Sequence, residues 1–169
     1  MTFTCYRRYP FLAKDWTRLW LAESINAACK KYDHKLWAYV FMPDHVHLVG
    51  YPNQAAYDIA EFRKSIKAPV AKQALAHLEQ HAPEWLPKVT HKRGSRTERL
   101  FWQSGGGHDR NLDQPRTLHA AIDYLHANPA RAGLVAKPTD WEWSSAGWYH
   151  QQAQGPCVVH PLTESYLDR

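Results

Sequence analysis

The sequence predicts an α+β sandwich, with helices packed over an antiparallel sheet, and three observations predict it. Short runs rich in aromatic and β-branched residues are interspersed with longer stretches whose apolar residues recur at helical spacing. Two of the strand-like runs, 36–41 and 45–51, are separated only by Met42-Pro43-Asp44, a turn sequence that favours an antiparallel hairpin. The chain is 169 residues long and 44% apolar, enough to bury one core, so a single domain over 1–169 is expected.

The elements follow in order. Residues 2–6 (TFTCY) form a short β-like run. Asp15 is placed to cap a helix over 16–32, where Leu21, Ile25, Ala28 and Tyr32 recur on one side. The hairpin comes next. A helix is expected over 55–67, with Ile59, Phe62 and Ile66 on one face, then an interruption at Pro69 and more helix to about 80. Residues 81–99 are proline-marked and basic, and read as an exposed loop. LFWQ at 100–103 is a strand candidate, and Gly105-Gly106-Gly107 a flexible turn. Asp113 can cap a helix over 114–128, which Pro129 should end. The tryptophan-rich segment 139–169 is expected to pack over the core.

Composition narrows the function classes. No apolar run approaches a membrane span, and no charged-then-apolar leader is visible, so a soluble, cytoplasmic protein with no membrane partner is expected. Cys5, Cys29 and Cys157 are odd in number and far apart, which reads as small core side chains rather than a disulfide framework. A formal charge of +5 and eight Trp with nine Tyr suit a polyanion whose unpaired bases stack on rings, though rings equally fill cores.

Two constellations carry chemistry. His45 and His47 flank Val46 in a strand, so both imidazoles leave one face of the sheet and can chelate a divalent ion. Paired surface histidines fit the same pattern, and spacing does not decide between the two. On the 114–128 helix, Leu118, Ile122 and Leu125 form the apolar stripe, and Thr117, Ala121, Tyr124 and Asn128 a neighbouring one. Tyr124 and Asn128 therefore stand one turn apart on one face. A phenol and an amide oxygen there could serve one phosphate, while a core ring and a helix-end amide remain the alternative.

FMPDHVHLV at 41–49 is similar to the histidine-hydrophobic-histidine segment of the IS200/IS605-type single-tyrosine transposases. AIDYLHANPARAGLV at 121–135 resembles the tyrosine helix of their relatives associated with repeated extragenic palindromes. FWQ at 101–103 and DWEWSS at 140–145 match in the same order, so the likeness runs from CYRR at 5–8 to the tryptophan-rich end. His108 departs from it, standing where many relatives have tyrosine. The resemblance implies a ferredoxin-like α/β sandwich with both motifs meeting over the sheet. It implies that His45, His47 and Asn128 hold Mg²⁺ or Mn²⁺ and that Tyr124 is the nucleophile. It further implies cutting and rejoining of single-stranded or hairpin DNA through a 5′-phosphotyrosine, with monomer or homodimer left open.

That chemistry suits these residue types. A divalent ion withdraws charge from a phosphodiester and fixes its geometry, and a tyrosine phenolate leaves well enough to make the covalent step reversible. Arg63, Lys64 and Lys67, on the far side of their helix from Ile59, Phe62 and Ile66, are candidates for the DNA channel. His119 and His126 share the tyrosine helix, and a surface position is expected for His126. Competing readings are a non-catalytic hairpin-binding relative, a hydrolase that uses water on a small phosphate ester, and a structural metal site.

Overall fold

The strand carrying the histidine pair is the middle one of its sheet. The computed structural model describes residues 1–105 and 107–163. Strands β1 (Thr2–Thr4), β2 (His34–Phe41) and β3 (His45–Pro52) lie in the order β1-β3-β2, antiparallel throughout. Residues 101–103 and His108 take the place of a fourth strand beyond β1. The Tyr6 amide donates to the Phe101 carbonyl (2.8 Å), Gln103 to Thr4 (2.8 Å), and Thr2 and His108 exchange both backbone bonds (2.8 and 2.9 Å). Gly107 permits this approach, because its φ is +75° and a Cβ there would run into the Thr2 carbonyl. With that edge included, the spatial order is that of a ferredoxin-like sandwich, as expected.

Helices cover both faces. Val46 and Leu48 point into the larger core with α1 (Asp15–Lys31) and α2 (Ile59–His81), alongside Leu21, Ile25, Phe62 and Ile66. The opposite face presents Trp37, Ala38, Val40 and Met42 to Leu118, Ile122 and Leu125 of α4 (Pro115–Arg131). Burial of each such side chain contributes about 1.5–3 kcal/mol, enough to seat α4 firmly. Trp37 and Ala38 share a face because the register shifts between Leu36 and Ala38, a bulge that re-aims the indole. The outer edge of β2 is closed by the tryptophan-rich segment: Phe41 donates to the Trp143 carbonyl (2.8 Å), and the Trp141 indole donates back to the Phe41 carbonyl (3.0 Å). A short helix, α5 (Ala146–Gln151), follows.

Several helix boundaries differ from the sequence expectation, for physical reasons. Asp15 does not cap α1; it is the first helical residue, and its carboxylate takes the Arg18 guanidinium at 3.1 Å. The second helix starts at Ile59 rather than 55, because the Asp58 carboxylate accepts from the Ala60 and Glu61 amides (2.8 and 3.1 Å). It is not interrupted at Pro69. Proline deprives the Ser65 carbonyl of its usual donor, and the Ser24 hydroxyl of α1 donates to it at 3.3 Å and to Ile66 at 2.9 Å. Likewise α4 begins at Pro115, with no side-chain cap from Asp113, and runs through Pro129 to Arg131.

The 81–99 stretch is not a loop. A 3₁₀ turn, a one-turn helix α3 (Leu86–Val89) and an antiparallel ribbon of β4 (Thr90–Arg93) and β5 (Arg96–Arg99) occupy it. The cysteines are free, with Cys5 and Cys157 buried as expected and Cys29 partly so. No helix among the described residues is long and apolar enough to cross a membrane.

Candidate functional site

His45 and His47 leave β3 on the face that α4 covers. The register pairs His47 with Val40, whose side chain belongs to the core under α4, while Val46 and Leu48 face the other way. The two rings stand 4.9 Å apart and perpendicular, both partly exposed.

Each imidazole is held by its Nδ1. His45 Nδ1 meets the Asp44 carboxylate at 2.6 Å, and His47 Nδ1 meets the Thr2 hydroxyl at 2.8 Å. In the tautomers that let Nδ1–H donate, both Nε2 lone pairs remain available, the arrangement that metal-ligating histidines adopt. Burial, with the neighbouring charges of His45 and the N-terminus, lowers the His47 pKa from 6.5 to about 4, so that ring is neutral at ordinary pH. Asp44 is itself fixed by Arg8, whose Nε lies 2.9 Å from the second carboxylate oxygen. The backbone at Arg7 and Arg8 is left-handed (φ 52° and 55°), a strained conformation for residues with a Cβ. That turn brings Arg8 to Asp44.

Tyr124 and Asn128 are adjacent on α4 as expected. The Asn128 amide nitrogen donates to the Tyr124 carbonyl at 2.8 Å and to the Leu125 carbonyl at 3.3 Å. Pro129 has no N–H to give Leu125, so the side chain substitutes for it. With both amide hydrogens turned to the helix, the Oδ1 is left to accept or ligate. Tyr124 is 54% exposed, and the Arg131 guanidinium lies 4.9 Å from its ring centroid.

The two pairs share a face, yet among the described residues no hydrogen bond or ring contact joins the histidines to Tyr124 or Asn128. No three of His, Cys, Asp and Glu cluster as a metal site among the described residues. The candidate donor set instead combines two imidazole nitrogens with an amide oxygen, and its chemistry fits a small divalent cation that keeps open positions for phosphate oxygens.

Five rival nucleophiles are wholly or partly buried. Burial pushes the Cys5 and Cys157 thiols well above their ordinary range and Cys29 up to about 11. Tyr39 is fully buried with a raised pKa, and Tyr149, raised by burial to about 12, donates its hydroxyl to the Trp37 carbonyl at 2.9 Å.

The basic trio on α2 lines one groove with Trp102, Gly105 and small residues, a volume of about 330 Å³. Its charges are partly compensated: Arg63 pairs with Asp109, and Lys64 with Glu61 at 3.1 Å. Lys67 reaches the Gln103 carbonyl at 3.4 Å, and burial followed by Arg63 lowers its pKa. His126 is not at the surface. It is 3% exposed, and its Nε2 bonds the Ser145 hydroxyl at 2.7 Å, which ties α4 to the tryptophan-rich segment. His108 is exposed and pairs with Thr2 through its backbone.

Sequence reasoning missed Thr2, Asp44, Arg8 and Arg131. Asp44 adjoins the histidine motif and was the most accessible of them. Thr2 meets His47 only through strand register, which one sequence does not reveal.

Comparison with known proteins bears on the fold and the family. A Haemophilus influenzae protein assigned as a REP-associated tyrosine transposase is 22% identical over 144 residues, covering 81% of this chain and 77% of that protein. The fold is similar to that of a REP-associated tyrosine transposase solved bound to a REP hairpin, with a TM-score of 0.59 at 18% identity over 96% of this chain and 85% of the other. A family model described as "Transposase IS200 like" matches residues 1–103, a stretch that includes both histidines and ends before α4. The chain belongs to the IS200-like transposase family.

Proposed function

We propose that this chain cuts and rejoins single-stranded DNA beside a hairpin, with Tyr124 as nucleophile and a divalent cation, Mg²⁺ or Mn²⁺, held by His45 Nε2, His47 Nε2 and Asn128 Oδ1. The observation that carries the reading is the state of these donors. Both Nδ1 atoms and the amide nitrogen are already engaged, and the three remaining donor atoms belong to groups on one face of the sheet. When bound, the cation would withdraw charge from a non-bridging phosphate oxygen.

The protein's own groups do the rest. Tyr124 attacks phosphorus through its phenolic oxygen, and its proton passes to solvent, to which the ring is open. The 3′-oxygen of the upstream sugar leaves and takes up a proton, giving a free 3′-OH and a 5′-phosphotyrosine. Reversal by that 3′-OH, or by one from another strand, rejoins DNA without a nucleotide energy source. Arg131, beside the phenol, is placed to steady the phosphate. Arg63, Lys64 and Lys67 offer a cationic groove suited to the phosphates of an unpaired strand. The structural relative bound to a REP hairpin favours a hairpin as substrate.

Incubation with end-labelled hairpins drawn from the flanks of its own gene, with Mn²⁺ or EDTA, tests the proposal. It expects Mn²⁺-dependent cleavage and a DNA–protein adduct. Tight hairpin binding without cleavage would instead identify a non-catalytic relative.

A further inference from the structure

The β4–β5 ribbon and the end of α3 that leads into it hold most of the unbalanced charge of the protein. Residues 88–99 contain Lys88, Lys92, Arg93, Arg96 and Arg99 against Glu98 alone, a net +4 of the chain's formal +5. Arg99 is paired with Glu79, but Lys92, Arg93 and Arg96 form no ion pair among the described residues. The cations of the α2 groove, by contrast, largely have carboxylate partners.

The ribbon is anchored at its base and free at its tip. Val89 is fully buried, its carbonyl accepts from Leu100 at 2.8 Å, and His91 meets the Tyr6 hydroxyl at 3.3 Å. From Lys92 to Arg99 every residue is exposed. The strands are joined by Gly94-Ser95, with Gly94 at φ +62°, so the tip is as narrow as a hairpin allows. Register places Arg93 opposite Arg96 on one face and Lys92 opposite Thr97 on the other. Arg7, Lys92 and Arg99 border a groove of about 730 Å³ at the ribbon's base, beside the turn that brings Arg8 to Asp44 and His45.

We propose that this ribbon enters the major groove of a DNA duplex, the stem of the hairpin being processed, and grips phosphates on both walls. The inference rests on the proposed function. A two-stranded ribbon fits a major groove about 12 Å wide. Cations on both faces suit a groove walled by phosphates on two sides, where a flat anionic surface would need them on one. An unpaired strand fits less well, because residues 92–98 include no ring on which a base could stack.

The test compares the full chain with its Lys92→Ala/Arg93→Ala/Arg96→Ala variant on two probes: a fully paired hairpin stem and an oligothymidine of equal length. Fluorescence anisotropy is followed across salt concentrations. All three side chains are exposed, so the fold should persist, which circular dichroism checks. For the stem, the variant should flatten the log Kd–log salt slope by roughly 2–3 and weaken binding at least about tenfold at low salt. Oligothymidine binding should change little. An unchanged stem slope, or equal losses on both probes, would overturn the ribbon assignment. If the unaltered chain binds neither probe, the reading of a DNA-processing protein fails, and the ribbon's role with it.

Discussion

The Asn128 amide nitrogen donates to the Tyr124 carbonyl at 2.8 Å and, at 3.3 Å, to Leu125, the carbonyl that Pro129 deprives of a backbone donor. One residue thereby continues the helix through a proline, keeps the tyrosine's turn regular and presents its own oxygen outward. A double-mutant cycle tests the coupling. Asn128→Ala should destabilise by about 1–2 kcal/mol in denaturant unfolding, since it leaves a carbonyl unpaired. In a Pro129→Ala background the backbone N–H returns, and that loss should shrink by about 1 kcal/mol. Strict additivity would mean the side chain does not substitute for the missing donor.

Asp44 and Thr2 orient the two imidazoles, so their removal should weaken metal binding without touching a ligand. Asp44→Asn and Thr2→Val are each expected to raise the Mn²⁺ Kd about 10–100-fold by titration calorimetry. His45→Ala or His47→Ala should abolish binding while the fold survives, both rings being partly exposed. Unaltered Mn²⁺ affinity in the Asp44 and Thr2 variants would show that the rings are held in some other way.

Acid should destabilise the protein through His126. Burial, then the charge of His150, lowers its folded pKa from 6.5 to about 4, against a small opposing effect of Asp123. Between these values the unfolded chain binds a proton that the folded one refuses. The stabilisation is therefore complete above about pH 6.5 and is lost as pH falls towards 4, at up to about 1.4 kcal/mol per pH unit. His47 acts in the same direction over the same window. His126→Gln can keep the bond to Ser145 but cannot titrate, so its unfolding free energy should fall less steeply between pH 6.5 and 4. An identical acid slope would show that His126 does not contribute.

Most of the fold was legible because its signals are local. Alternation of His45, Val46, His47 and Leu48 fixed which rings face together, and α4's stripe of Leu118, Ile122 and Leu125 identified its buried side. Tyr124 and Asn128 followed from helical spacing. The proline rule failed at Pro69 and Pro129 for one shared reason: Ser24 from another helix and Asn128 from the same one supply the missing donor. Neither compensation is visible without tertiary contacts. The ribbon at 90–99 was missed because its charged residues lack strand-like apolar alternation, and Thr2's bond to His47 needs a strand register that spacing alone does not give.

The α2 groove offers a graded comparison. Because Asp109 and Glu61 already accompany Arg63 and Lys64, Arg63→Ala/Lys64→Ala/Lys67→Ala should flatten the salt dependence of single-strand binding by only about one unit. The ribbon variant should change stem binding more. A larger slope change from the groove variant would make α2 the main electrostatic contact.

The covalent link between Tyr124 and DNA is the central claim, and one measurement addresses it most directly. A hairpin labelled separately at each end is incubated with Mn²⁺ and the protein, resolved on a denaturing gel, and the adduct is mapped by peptide mass. Only the fragment downstream of the cut should travel with protein, attached at Tyr124, and Tyr124→Phe should lose adduct and cleavage together while still binding the hairpin. Cleavage that persists in Tyr124→Phe, or an adduct on another residue, would contradict the account.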